Sequence, residues 1–480
     1  MIRCFLPTHN RAKVIRIKTL LIKPPTGGIY KEMKKITPEY PPLGLAYIAS
    51  FLERADHEVK IIDLSVENYD EIKLMKLIDK FSPAIIGITA NTPTADSAYR
   101  IVHSLKSAFP DILFIMGGPH PTVLPDEALQ YADVVIRGEG EETFLEIADK
   151  GFTKKMLMET KGISMRFNGK KIRNPDREFN TDLDSFPLPA RHLLPMNKYH
   201  YFGARKYPLT NILTSRGCPF QCSYCNKKIF GHKFRARSPE DVLKEIDFLV
   251  QVLHIKEIHI SDDTFCLDKK RVLEICRLVK ERGYDLVFFP HNGFRVDTVD
   301  SELLESMKSA GFYAQVFGVE SGNQQILMNI RKGITLEQVR TAFRLSKELG
   351  FETWGTFILG LMGETKQSAM DTIKFAIELD PDVAKIHILV PYPGTRDYER
   401  LKDRMVVKEW ADFGMFSGPT FEPENMTRDE LYGLFKTAYR KFYFRSAPML
   451  RILKKSIKSP KTILENINAG RSVLKISKGW

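Results

Sequence analysis

Residues 209–225 read Leu209-Thr-Asn-Ile-Leu-Thr214-Ser215-Arg216-Gly217-Cys218-Pro-Phe-Gln-Cys222-Ser-Tyr224-Cys225. A short apolar run predicts a strand, and three cysteines follow it within eight residues. Thiolates so closely spaced can wrap one face of a compact iron–sulfur cluster, a group normally held by four protein thiolates. With three, one iron keeps an open position for an outside ligand, by the logic of open catalytic metal sites. Zinc is the alternative. It usually takes a Cys-x2-Cys pair together with a distant second pair, and the sequence has no second pair.

Downstream of the triplet, strand and helix patterns alternate. Strands are predicted at 209–214, 257–261, 286–290, 314–319, 353–360 and 384–390. Helical spacing falls at 240–252, 269–282, 301–310, 336–349 and 367–379. Six such units predict a partial (β/α)6 barrel with its active site at the carboxyl ends of the strands.

The triplet, with an aromatic residue before its last cysteine, resembles the signature of radical S-adenosylmethionine (SAM) enzymes. The likeness extends over roughly 205–400, through Ser261-Asp262-Asp263-Thr264-Phe265, Asn292-Gly293-Phe294-Arg295-Val296, Gly318-Val319-Glu320-Ser321-Gly322, Ile358-Leu359-Gly360 and Pro391-Tyr392-Pro393-Gly394-Thr395. It implies a [4Fe-4S] cluster on Cys218, Cys222 and Cys225. It also implies SAM contacts at Tyr224, Asp262, Asp263, Asn292, Arg295, Glu320, Ser321, Ile358, Gly360 and Pro393. Asp262 or Asp263 is expected to receive the SAM amino group, and Glu320 and Ser321 its ribose or methionine part. The alternative for these carboxylates is capping of the following helices. Reductive cleavage of SAM implies an electron donor such as flavodoxin or ferredoxin.

Upstream, short apolar strands are predicted at 18–22, 59–64, 84–89, 112–116 and 132–136, separated by helices at 43–53, 72–81, 97–109 and 126–131. Strands apolar on both faces and joined by helices predict a doubly wound parallel sheet. Three strand ends are rich in Gly, Pro or Thr, at 89–92, 117–122 and 138–141, and ligands bind at such ends. This half resembles the cobalamin-binding domain of class B radical SAM enzymes, through Pro41-Pro42-Leu43-Gly44-Leu45, Gly117-Gly118-Pro119-His120-Pro121-Thr122 and Gly138-Glu139-Gly140-Glu141. The resemblance implies cobalamin contacts at Thr89, Thr92, Gly117, Gly118, Pro119, His120, Gly138 and Glu139. The Asp-x-His-x-x-Gly motif that gives cobalt a lower ligand in other cobalamin domains is absent, so His120 stands between a place near the corrin and a turn histidine. Methylthiotransferases share the general layout but carry three further cluster cysteines, whereas here only Cys4 precedes the triplet. Cys266 and Cys276 build no second cluster.

The chain thus divides into a cobalamin-binding domain (1–155), a Pro-, Asp- and Arg-rich linker (156–203), a radical SAM core (204–425) and a basic helical C-terminal region (426–480). An amphipathic helix is predicted at 428–444, and a basic helix broken near Pro460 at 450–467.

Hydrophobic residues make up 43% and charged residues 27%, which excludes a disordered or fibrous chain. No run reaches the ~18–20 apolar residues of a membrane span, and no secretory signal is read at the start. Six unevenly placed cysteines point to a reducing, cytoplasmic setting. The net charge of +13 concentrates at the ends: +8 over 1–37 and +10 over 440–480, leaving −5 between them. Basic ends serve anionic lipid surfaces, acidic partners or nucleic acid, or are simply solvated. No nucleic-acid motif accompanies them. The expected substrate is anionic or lipid-like, with peripheral membrane contact an option.

Three functions compete. The leading one is cobalamin-dependent methylation of an unactivated carbon. The second keeps the fold with a non-methylating outcome, such as cyclisation. The third is a non-catalytic cobalamin or cluster sensor on nucleic acid.

Overall fold

The computed structural model describes residues 16–26, 38–67, 70–414, 418–451, 470–471 and 474–475. Strand β1 (Lys18–Lys23) lies inside the first sheet, with Leu20, Leu21 and Ile22 fully buried. It pairs in parallel with β2 (Glu58–Asp63) on one side and β3 (Ile85–Thr89) on the other. Strands β4 (Leu113–Gly117) and β5 (Val134–Ile136) continue the parallel ladder. The order β2-β1-β3-β4-β5 reverses at β1/β3, and an open sheet of this kind takes its ligand in the crevice outside the carboxyl ends there. Helix Leu43–Arg54 covers one face, burying Leu45, Ala46, Ala49 and Leu52 at helical spacing.

The stretch read as a linker contains more order than its sequence suggested. Strands β6 (Ile163–Phe167) and β7 (Lys170–Arg173) form a hairpin that extends the same sheet antiparallel to β5. The apolar alternation that announces a strand is missing from β7, because it is the sheet edge and carries Lys170, Lys171 and Arg173. Charged edges of this kind blunt further strand pairing.

The second half contains β8 (Leu209–Ile212), a small antiparallel pair β9 (Ser215–Arg216) and β10 (Arg235–Ala236), then β11 (Glu257–Ile260), β12 (Val287–Pro290), β13 (Ala314–Glu320), β14 (Glu352–Leu359) and β15 (Val383–Ile388). Two parallel ladders, β8-β11-β12 and β13-β14-β15, meet through the parallel bridges Phe288–Phe312 and Phe294–Phe317. Among the described residues no ladder joins β15 back to β8, so the six strands make a partial barrel. Its helices start where the sequence places caps. Asp268 and Asp300 accept backbone N–H bonds, and Thr335 and Thr365 form reciprocal capping boxes.

The predicted amphipathic helix, Arg428–Tyr443, packs on β15. Leu431, Phe435, Ala438 and Phe442 are at most 1% exposed, and the Tyr439 and Tyr443 hydroxyls donate to the carbonyls of Ile386 and Ala384. Beyond Arg451 the predicted basic helix lies outside the described residues, as does the basic stretch up to residue 15. No helix among the described residues is long and apolar enough to cross a membrane.

A candidate cofactor site between the two domains

The β9–β10 pair clamps both ends of the cysteine loop. At its root, Asp262 accepts the Thr214 N–H and the hydroxyls of Thr214 and Ser215, each at 2.6 Å. Gly217 follows with φ +82°, and a Cβ there would sit 2.3 Å from the Lys233 carbonyl oxygen, so only glycine fits. Its N–H donates to Asp263 at 3.1 Å. Lys227 donates to the Cys218 carbonyl at 2.9 Å, and the Ser223 hydroxyl to Asp397 at 3.0 Å. The Arg295 guanidinium lies 3.6 Å from the Phe220 ring centroid. The backbone is therefore held at every turn while the three thiols stay accessible, Cys225 most of all. Cys266 and Cys276 are the opposite case. Both are buried in the barrel core, and burial pushes their thiols up.

The Cys222 thiol is held down to about 6, first by a hydrogen bond from Cys225 and further by the nearby Lys332 ammonium. A depressed thiol is a ready metal ligand. Among the described residues no three His, Cys, Asp or Glu side chains converge as a single bound ion requires. A cluster asks instead for one thiolate at each of several irons, and three accessible cysteines on one loop, two of them with thiols in hydrogen-bond contact, fit that demand.

Opposite the loop stand the strand ends of the first domain. Between them is a cavity of about 470 Å³, within the range of small-molecule and cofactor sites. Six of its wall residues from the first domain are glycines: Gly44, Gly87, Gly117, Gly118, Gly138 and Gly140. At Gly118, φ is +95°, and a Cβ would meet the Thr89 hydroxyl at 2.6 Å. Apolar side chains such as Leu45, Ile48, Ile88, Ile136 and Phe144 line the wall between these glycines, and bare backbone beside an apolar wall suits a broad macrocycle, so the residues present fit cobalamin. Cys218, Cys225, Asn226, Phe230 and Asp263 face it across the same space.

Of the residues expected to touch cobalamin, Thr89, Gly117, Gly118, Pro119, Gly138 and Glu139 line this cavity. Thr92 and His120 do not. His120 is fully buried behind the wall, with Nδ1 3.3 Å from the Thr92 hydroxyl and Nε2 3.5 Å from Glu127. The Trp410 ring meets it edge-on at 4.8 Å, and the Trp410 indole donates to Glu127 at 2.6 Å. Trp410 comes from the segment after the barrel, and the neighbouring Ala411 N–H donates to Asp96 at 2.8 Å. His120 is therefore part of a latch between the domains.

The expected SAM residues also divide. Tyr224 and Glu320 meet beside the cysteines, bridged by Lys332. Its ammonium lies 2.7 Å from Glu320 and 3.3 Å from the Tyr224 hydroxyl. Glu320 is a non-glycine residue at φ +67°, the kind of strained backbone that persists where a site over-determines it. Ile358 stands half-buried in the barrel lumen. Asp263 faces the cavity, and the Pro393 carbonyl accepts from Asn226 at 3.2 Å.

Five others are engaged with the protein, among them Arg295, which donates to Asp297 at 2.9 Å and to the Lys332 carbonyl at 2.8 Å. Asp262 has its oxygens committed to the loop root. Ser321 is fully buried against the Thr372 hydroxyl at 3.1 Å, and Asn292 donates to the Ser261 carbonyl at 2.7 Å. Gly360 gives its N–H to Glu364 at 2.5 Å. Asp262 caps no helix; its bonds go to Thr214 and Ser215.

Sequence reasoning missed Arg216, Arg235 and Lys332. Arg216 donates to Glu139 at 3.0 Å and Glu141 at 2.7 Å, and Arg235 donates to Glu139 at 2.8 Å. The Gly-Glu-Gly-Glu string that looked like a ligand loop carried the signal, since two acids so close to a buried strand end need cations. Lys332 had no such sign.

A model of the B12 binding domain matches residues 33–148, and the Radical SAM superfamily model matches 212–376. The chain is 29% identical to the anaerobic magnesium-protoporphyrin IX monomethyl ester cyclase of Rubrivivax gelatinosus, over 86% of this chain and 75% of that one. Its fold superposes on OxsB, a cobalamin-dependent S-adenosylmethionine radical enzyme solved with aqua-cobalamin and S-adenosylmethionine bound. The TM-score is 0.72 at 19% identity, over 96% of this chain and 72% of that one. It is 37% identical to an uncharacterized methyltransferase of Pyrococcus horikoshii, over 91% of this chain and 94% of that one. Two matched domains in this order, and a relative that close over nearly the whole length, make the chain a member of the B12-binding radical SAM family.

Proposed function

We propose that this protein is a cobalamin-dependent radical SAM methyltransferase that acts on an unactivated carbon. The observation that carries the reading is the single cavity with glycine-walled strand ends on one side and Cys218 and Cys225 on the other. When bound, the cluster supplies the electron that cleaves SAM, and cobalamin carries the methyl group. Cys218, Cys222 and Cys225 would hold three irons of the cluster and leave the fourth for SAM. The methionine end of SAM is a zwitterion, and Lys332 and Glu320, beside the cysteine loop at Tyr224, would offer it one cation and one anion. Orientation is the protein's main contribution to such chemistry. Electrons come from an external donor of the flavodoxin or ferredoxin kind.

The test is anaerobic reconstitution with iron, sulfide and hydroxocobalamin, followed by SAM and reductant. The reading expects both 5′-deoxyadenosine and S-adenosylhomocysteine. Deoxyadenosine without S-adenosylhomocysteine would move the reaction to a non-methylating outcome, and neither product would remove the reading.

A further inference from the structure

Apolar side chains do not fill the barrel lumen. Alternate residues of a strand face the helices and the lumen. On β15 the outward Ala384, Ile386 and Ile388 are 1–3% exposed, whereas Val383, Lys385 and His387 keep partial exposure. On β14 the outward Phe357 and Leu359 are fully buried, whereas Thr356 and Ile358 are not. Enclosed strand positions that still touch solvent mark a cleft inside the barrel.

Aromatic rings floor this cleft. Tyr201, Phe289 and Trp354 pack together, with Phe289 5.1 Å from each of the other two rings. The Tyr40 hydroxyl closes the gap beside them, 2.5 Å from His259 and 3.1 Å from His291.

Above the floor stands Lys385. Its ammonium lies 4.6 Å from the Trp354 ring centroid and 3.5 Å from the Tyr201 hydroxyl. No carboxylate among the described residues offsets its charge. The two floor carboxylates are taken. Glu257 accepts from the Tyr313 hydroxyl, from two backbone N–H groups and at His259, and Glu352 accepts from the Trp354 indole. A ring face and a hydroxyl compensate an enclosed ammonium only in part, and buried charges are ordinarily paired. Burial lowers Lys385 to about 8. Burial, with Lys385 adding to it, holds His291 down to about 3 and His387 to about 4. The histidines are therefore neutral hydrogen-bonding groups near pH 7, and Lys385 is the cation among them.

We propose that Lys385 anchors an oxyanion subsite in the barrel lumen, which takes a carboxylate or phosphate group of the substrate with His291 and His387 as neutral partners. The inference rests on reading the barrel mouth as the SAM site, and it supplies the substrate class. The register supports the placement. Lys385 is level with Thr356, and His387 is one lumen position nearer the carboxyl ends. At ~3.3 Å per residue, Lys385 lies about 7 Å deeper than His387. An anion held there leaves the rest of a substrate pointing toward Glu320 and the cysteine loop.

The test uses the full chain, handled anaerobically, and reads acetylation of Lys385 by peptide mass spectrometry. Labelling is compared in sodium chloride, inorganic phosphate and succinate at matched ionic strength, which removes general screening. The proposal expects phosphate or succinate, whichever is the better mimic, to slow labelling of Lys385 several-fold while surface lysines label as before. It also expects that anion to raise the thermal midpoint of the wild type but not of Lys385→Met. If Lys385→Met does not fold, the wild-type labelling decides alone. Equal labelling in all three salts overturns the proposal. Because the readout needs no SAM, protection of Lys385 in a protein that never forms 5′-deoxyadenosine would sink the SAM reading and leave the anion subsite standing. Deoxyadenosine without protection would do the reverse.

Discussion

Arg216 reaches across the boundary between the two domains to within 3.0 Å of Glu139. Arg216 lies two residues before Cys218, and Glu139 follows Gly138 on the cavity wall. Arg235 and Glu141 complete a four-membered charge cluster in which no side chain is more than 11% exposed. This cluster ties the root of the cysteine loop to the first-domain wall of the cavity. Breaking a buried pair from one side leaves a stranded charge, at a cost of about 3–5 kcal/mol. Arg216→Met is expected to lower stability by that order in urea unfolding and to reduce the cobalamin retained after gel filtration. An unchanged midpoint with full cobalamin retention would show that the cluster does not tie the loop root to that wall.

Asp262 separates a structural role from a ligand role. Its three 2.6 Å bonds go to Thr214 and Ser215, so its removal acts through the loop. Asp262→Ala is expected to cost about 1–3 kcal/mol from unpaired buried donors and to lower the iron bound per chain. The fraction that keeps its cluster should bind SAM with unchanged affinity. A variant with full iron and weakened SAM binding would restore the ligand role.

His120 gives a spectroscopic prediction. Because it sits behind the wall against Trp410, His120→Ala should leave the electron paramagnetic resonance spectrum of bound, reduced cobalamin unchanged. It should still lower stability, since Glu127 loses a neighbour at 3.5 Å. Loss of a nitrogen hyperfine pattern in the variant would place this histidine on cobalt.

Glu364 makes stability pH-dependent. Burial raises its carboxyl from 4.5 to about 8, against the pull of the Gly360 and Leu361 N–H groups. The native state then keeps a proton that the unfolded chain releases above about 4.5, so native binds more protons across that window. Its contribution is full below the unfolded pKa and is lost as pH rises through about 8, at up to roughly 1.4 kcal/mol per unit. Glu364→Gln, which keeps the size and the acceptor, should flatten the dependence between pH 6 and 8.5 in urea midpoints. Parallel wild-type and variant curves would contradict the assignment.

Much of the fold was readable because the period of each element was unambiguous. The apolar run 84–89 and the helical spacing at 269–282 leave little choice, and both elements appear within a residue of where the pattern puts them. The hairpin of β6 and β7 was missed because a charged edge strand has no apolar face to reveal it. The cysteine triplet was legible because its chemistry is local. Side-chain direction was not. Asp262 and His120 stand in strings that point to a ligand, yet the neighbours that claim them, Thr214 and Trp410, lie 48 and 290 residues away in sequence. Lys332 and Lys385 are single residues whose meaning arises only once strands close around them.

The central claim is that cobalamin and cluster share one cavity. Its most direct test is pulsed electron paramagnetic resonance on the reconstituted chain with both cofactors bound and reduced to their paramagnetic forms. The account predicts a dipolar coupling between the two centres that disappears in a Cys222→Ala variant lacking the cluster. Two fully independent signals, in protein carrying stoichiometric iron and cobalt, would contradict it.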